Sequence, residues 1–181
     1  FATQNPTAGY AGRKELSKAF RNRFVEMFVP EVPDDELIQV LEKRGKLAPS
    51  YAKVLISIMR DLQRHRQQTR AFLGKQGFIT IRDLLKIAKR EPVGYEQLTH
   101  LAYTVLGERL RTQEEADLVK QVIQSNCRNV KLDTHKFYTE YFQTAFSDTL
   151  TQELLETQNL GSINWNSHMK RLYCLVDIAL K

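Results

Sequence analysis

At 181 residues, with 42% hydrophobic and 27% charged side chains, the chain is long enough to bury a core and too apolar for wholesale disorder. Its net charge of +6 permits a phosphate-bearing partner without demanding one, because most such excess is solvated surface. The two cysteines, Cys127 and Cys174, lie far apart without C-x-x-C spacing, which argues against a zinc site or a disulfide framework and fits a reducing compartment.

No apolar run approaches the ~20 residues that a membrane helix needs, and the N-terminus lacks the organisation of a signal peptide. Phe1, Ala2 and Thr3 read as the end of a strand, so without an initiator Met the chain reads as an excerpt of a longer one. Thr3, Gln4, Asn5 and Pro6 then form a turn, since Pro6 forbids ladder or helical continuation. Ligands of open α/β sheets sit beyond the carboxyl ends of strands, which places the Asn5 amide where a phosphate or a water would be held. On spacing alone, an asparagine stabilising its own turn before Pro6 is the better reading of Asn5.

Gly9 and Gly12 make the next loop pliable. Residues 14–22 read as a helix with Leu16, Ala19 and Phe20 on one face and with Arg21 and Arg23 projecting at its end. On composition alone those arginines are a basic helix terminus complementing the macrodipole. Residues 24–29 are β-rich and read as a strand closed by Pro30.

From Pro30 the pattern turns helical. Pro33 followed by Asp34, Asp35 and Glu36 starts a helix with Leu37, Val40 and Leu41 inward, stopped by Gly45. A second starts near Pro49 and Ser50, with Tyr51, Val54, Leu55, Ile58, Met59 and Leu62 recurring at three and four up to about Gln68. Residues 69–78 read as a loose connection. Thr80 is a cap for a helix with Ile81, Leu84, Leu85 and Ala88 inward and with Arg82, Lys86 and Lys89 outward. Pro92 and Gly94 break it, and residues 95–107 form the next helix on Leu98, Leu101, Ala102 and Val105. The run Thr112, Gln113, Glu114, Glu115 reads as a capping box launching a helix through Ile123. Beyond Cys127, residues 130–132 read as a short strand, 137–146 as an aromatic stretch with weak period, and 150–158 as a short helix. After a strand-like stretch at 163–165, the chain closes in an amphipathic helix capped by Asn166 or Ser167, with Met169, Leu172, Tyr173, Val176 and Leu180 inward.

The ordered string ATQNP, GYAGRK, LSKAFRNRF and VPEVPDDEL resembles the second half of an AAA+ ATPase core. More narrowly it is similar to the dynein-related branch of that class that serves ribosome assembly. GFITIRDLLK, GYEQL and ERLRT carry the likeness to about Thr112, and INWNSHMKRLYCLV resembles the segment that precedes a phosphate-binding loop in that branch. The resemblance implies a mostly α chain: residues 1–29 as the C-terminal piece of an AAA+ α/β subdomain, 30–128 as a helical lid, 129–162 as a connector, and 163–181 as the opening helix of the next module.

It also implies roles. Asn5 would be the sensor on the fourth strand, and Arg23 the arginine finger lent to a neighbouring module's ATP with Arg21 in support. Arg82 would be the second sensor, on the lid. A finger requires positive charge that is permanent and able to fork onto phosphate oxygens, which suits arginine. ATP and Mg²⁺ are expected in the full-length protein but not on this segment, which lacks G-x-x-x-x-G-K-[ST] and an apolar strand ending in Asp-Glu. The partners implied are neighbouring modules of the same chain and the precursor of the large ribosomal subunit with its assembly factors, in the nucleolus and nucleoplasm.

A rival expectation is a basic helical module that binds RNA or a protein without ATP; the face of Arg60, Arg64 and Arg70 could touch RNA, although a solvated face is the better reading of it. The GKQG tetrapeptide lacks the neighbouring strands of a KH clamp, and the four histidines have no partner at metal-ligand spacing.

Overall fold

The computed structural model describes residues 2–3, 16–68, 72, 79–146 and 165–180, and among these it contains helices and no strand. The helices are α1 (Lys18–Arg21), α2 (Asp34–Gly45), α3 (Pro49–Gln68), α4 (Ile81–Ala88), α5 (Gly94–Leu106), α6 (Gln113–Asn126), α7 (Thr134–Phe146) and α8 (Ser167–Leu180).

The first α2 turn carries Asp34, Asp35 and Glu36 and the last carries Lys43 and Arg44, so both ends complement the helix dipole. α2 ends on Lys46 in the left-handed region at φ 52°. Gly45 does more than stop the helix. A Cβ at this position would lie 2.4 Å from the Ala88 Cβ, so the ends of α2 and α4 touch because one side chain is missing. Gly45→Ala is therefore expected to destabilise the fold by about 1–3 kcal/mol, the usual range for overpacking, read as a lowered thermal midpoint.

α3 is the spine. It packs against α2, α4 and α6 and buries Ala52, Leu55, Ile56, Ile58, Met59 and Leu62. Tyr51 and Val54, expected inward, are half-buried and pack against this core. Leu84, Ile87, Leu98, Leu106, Val119 and Ile123 complete the interior from α4, α5 and α6. The Tyr51 hydroxyl accepts the Gly94 N–H at 3.0 Å, which anchors the start of α5 at a glycine with φ 86°. Phe72 is fully buried, although it lies in the connection read as loose, and its N–H donates to Glu115 Oε1 at 3.1 Å.

α7 and α8 pair and form a second, aromatic cluster around Tyr138, Phe142 and Cys174, edged by Trp165 and Tyr173. The Phe142 ring meets Trp165 at 5.1 Å and Tyr173 at 5.4 Å. Ile178, near the end of α8, belongs to the main core.

Several expectations are corrected. Residues 24–29 form no strand; Val25, Met27, Phe28 and Val29 are 81 to 94% exposed. A β-rich run needs a partnered ladder to become a strand, and no described segment offers one. Of the helix read over 14–22, only one turn lies in α1, and residues 4–15, which include Asn5, Gly9 and Gly12, lie outside the described residues. Residues 130–132 are not a strand. Asp133 instead starts α7, its Oδ1 accepting the Lys136 N–H at 3.0 Å, a bond that also lowers the pKa of its carboxyl.

The aromatic stretch is helical because Tyr138 and Phe142, one turn apart, share the face that α8 covers. The Thr112 side chain makes no cap hydrogen bond, while Glu115 turns to Phe72. α8 is rotated from its expected setting: Met169, Leu172, Val176 and Leu180 are 36, 48, 59 and 83% exposed, and Cys174 and Ile178 are buried. Its sequence offers two apolar stripes, and the aromatic face of α7 selects the one containing Cys174. The helix read at 150–158 and the residues 163–164 lie outside the described residues.

Candidate functional site

Of the four sequence-predicted residues, Arg21, Arg23 and Arg82 are described and Asn5 is not. α1 is capped by Ser17, whose hydroxyl accepts the Phe20 N–H at 3.3 Å, and the Phe20 and Phe24 rings meet at 5.3 Å across its end. Within that small frame the two arginines differ. Arg21 forks onto Glu26, with Nε to Oε1 at 2.6 Å and Nη2 to Oε2 at 2.7 Å, and this bond holds the Glu26 carboxyl below its usual range. The Arg23 side chain is exposed and has no hydrogen-bond or ion-pair partner among the described residues. One guanidinium is thus occupied and the other is available.

Arg82 occupies the second position of α4, exposed and likewise without a partner among the described residues. What aims it is its neighbour. Asp83 Oδ2 accepts both the backbone N–H and the hydroxyl of Thr80 at 3.0 Å, and Oδ1 takes Arg109 Nη1 at 3.1 Å. A buried carboxylate with three donors pins the first turn of α4 and so fixes the direction in which Arg82 leaves it. Sequence reading found the Thr80 cap but missed Asp83 and Arg109, which lie 26 residues apart and have no spacing signature.

Arg23 and Arg82 stand on separate elements, and no residue of α1 is buried. Arg60 binds Asp34 with Nε at 2.8 Å and Glu31 at 3.4 Å, and Arg64 binds Asp61 at 3.1 Å. The basic face read as an RNA surface is therefore already engaged by carboxylates at these two positions, and Arg70 lies outside the described residues. No group of three or more His, Cys, Asp or Glu among the described residues could hold a metal ion, and no described helix is long and apolar enough to cross a membrane.

A polar network at the joint of α5, α7 and α8 also escaped sequence reading. Glu108, just beyond α5, accepts the Tyr138 hydroxyl at 2.8 Å on one oxygen and Arg171 on the other, and its side chain is 8% exposed. Burial holds the Tyr138 phenol well above its ordinary range, and the bond to Glu108 raises that of Arg171. Tyr141 donates to Asp177 Oδ2 at 2.8 Å. Cys174 is pushed up to about 11 by burial, which keeps it a thiol. His100 stacks on Phe137 at 4.6 Å and donates from Nδ1 to the Glu96 carbonyl at 2.8 Å, leaving a buried Nε2 lone pair without a partner among the described residues.

Residues 36–129 match the family described as Midasin AAA lid domain. The chain is 45% identical over its whole length to Midasin of Dictyostelium discoideum, of which it covers 3%, and 36% identical over 70% of its length to Midasin of Giardia intestinalis, again 3% of that protein. It thus spans a few hundredths of the length of the curated relatives it matches. No solved structure matches it.

Proposed function

Since the chain belongs to the midasin family of AAA+ proteins, we propose that it is the lid-bearing part of one module in a ring whose ATP hydrolysis strips assembly factors from precursors of the large ribosomal subunit. In this reading residues 1–29 finish an α/β subdomain, 30–128 form its lid, 129–162 connect, and 163–181 open the next module. The work takes place in the nucleolus and nucleoplasm.

The sequence holds neither a phosphate loop nor a magnesium-binding strand end, and the described residues offer no metal cluster. In this proposal ATP and Mg²⁺ are held by other parts of the full-length protein, and the segment is inactive alone. Bound there, the nucleotide and its Mg²⁺ supply the phosphoryl group and part of the charge that neutralises it. This chain supplies fixed cations and an amide. Arg23 reaches a neighbouring module's nucleotide, Arg21 supports it from its fork with Glu26, Asn5 orients water at the module's own site, and Arg82 registers which nucleotide the lid meets.

The observation that carries the reading is the contrast between Arg21 and Arg23. A residue that must meet a phosphate from another body has to be exposed, permanently charged and uncommitted, and Arg23 is all three. The test is made on the full-length protein with isolated large-subunit precursors. ATP, but not a non-hydrolysable analogue, is expected to release bound assembly factors into the supernatant, and equal release with both nucleotides would count against the proposal.

A further inference from the structure

Besides its pairing with α7, which includes the Tyr141–Asp177 hydrogen bond, α8 meets α4 and the end of α5 through two polar contacts, one near each of its ends. The first is made by Arg90, in the turn after α4. The last carbonyls of a helix lack intrahelical donors. In α4, Leu85 O receives the Lys89 N–H at 3.0 Å, Ile87 O the Arg90 N–H at 3.2 Å and Ala88 O the Glu91 N–H at 2.9 Å. The remaining carbonyl, that of Lys86, is taken by Arg90 Nη1 at 2.5 Å. The other edge of the same planar guanidinium turns to α8, where Nε donates to the Ile178 carbonyl at 2.9 Å and Nη2 donates to the same oxygen. One side chain thereby caps the carboxyl ends of two helices at once. The second contact is the buried Glu108, which receives Arg171 of α8 while held by Tyr138. Arg171 and Ile178 lie about two turns apart on one side of α8, so the two contacts share a face.

We propose that Arg90 and Glu108 are positioning residues that couple the lid to α8, so that a displacement of α4 on nucleotide exchange is delivered to the helix leading into the following module. The proposal rests on the reading of Arg82 as a nucleotide sensor and of residues 163–181 as the start of that module. α4 suits the task. It is a single short helix, pinned at its N-terminal turn through Asp83 to Thr80 and Arg109, with Arg82 at one end and Arg90 just past the other. A short rigid element held at both ends moves as a unit, and the planar guanidinium carries that movement to α8 without slack.

The test is hydrogen–deuterium exchange of the full-length protein loaded with ATPγS or with ADP. In the natural sequence, protection over residues 81–93 and over 167–180 is expected to differ between the two nucleotides by about fivefold or more. In an Arg90→Ala/Glu108→Gln double variant the difference at 81–93 is expected to persist and that at 167–180 to vanish. Arg90→Lys, which keeps the charge but cannot bridge two helix ends, gives a milder variant with the same expected direction. Unchanged protection of the α3 amides reports that the fold is intact, so loss of coupling is separated from loss of structure. A nucleotide difference that survives at 167–180 in these variants overturns the coupling alone. No difference at 81–93 in the natural sequence overturns the sensor reading and the coupling with it.

Discussion

Arg23→Ala in the full-length protein is expected to depress ATP turnover at the site this residue serves by about 10³-fold or more, the range seen when an arginine finger is withheld, while nucleotide binding stays largely in place. The split follows from when the charge is needed. In the proposed role, ground-state ATP would already be held by groups outside this segment, whereas the charge that develops on the phosphoryl oxygens in the transition state would call for an additional cation. Arg23→Lys is expected to recover little, because an ammonium cannot fork onto two oxygens. Arg21→Ala is expected to have the smaller effect, since its guanidinium is already committed to Glu26. Phosphate release at saturating ATP, beside a titration with a fluorescent ATP analogue, measures both halves of the prediction. Turnover unchanged in Arg23→Ala removes the residue from the role.

Leu55→Ala is expected to cost about 2–5 kcal/mol, a large fraction of the roughly 5–15 kcal/mol by which a domain is stable. Leu55 is 0% exposed in the middle of α3, and α3 packs against α2, α4 and α6. A fully buried side chain on the helix that three others pack against leaves a cavity that cannot readily close, so the cost falls toward the upper end of the range. Leu180→Ala, on a side chain 83% exposed, is expected to change stability by no more than about 0.5 kcal/mol. Thermal denaturation followed by circular dichroism separates the two, and equal midpoints would show that α3 is not the spine of the core.

The helical body was legible because its signals are local. Asp34 to Glu36 start α2, Gly45 ends it, the three-and-four recurrence from Tyr51 to Leu62 marks α3, and Thr80 caps α4. Each of these depends on neighbours within a turn or two, where spacing is geometry. The strand expected at 24–29 failed for the complementary reason. Its residues favour a ladder, but a ladder is made by a second segment. Likewise the helical period of residues 167–180 was visible while its inward side was not, because the stripe with Met169 and Leu172 and the stripe with Cys174 and Ile178 are equally apolar until α7 chooses.

For the candidate site the division is the same. Sequence alone nominated residues by their chemistry: two arginines at the foot of a short helix, one on the second position of a capped helix, and an amide read as lying in a turn before proline. Only tertiary structure decided which of the described ones already has a partner and what holds the elements that carry them. Glu26 occupies Arg21, Asp83 and Arg109 aim the start of α4, and Arg90 and Glu108 tie α8 to the lid across 88 and 63 residues of chain. Pairings over such separations carry no periodicity that a linear reading could detect, because they are set by how packed helices bring their ends together, after the core has formed.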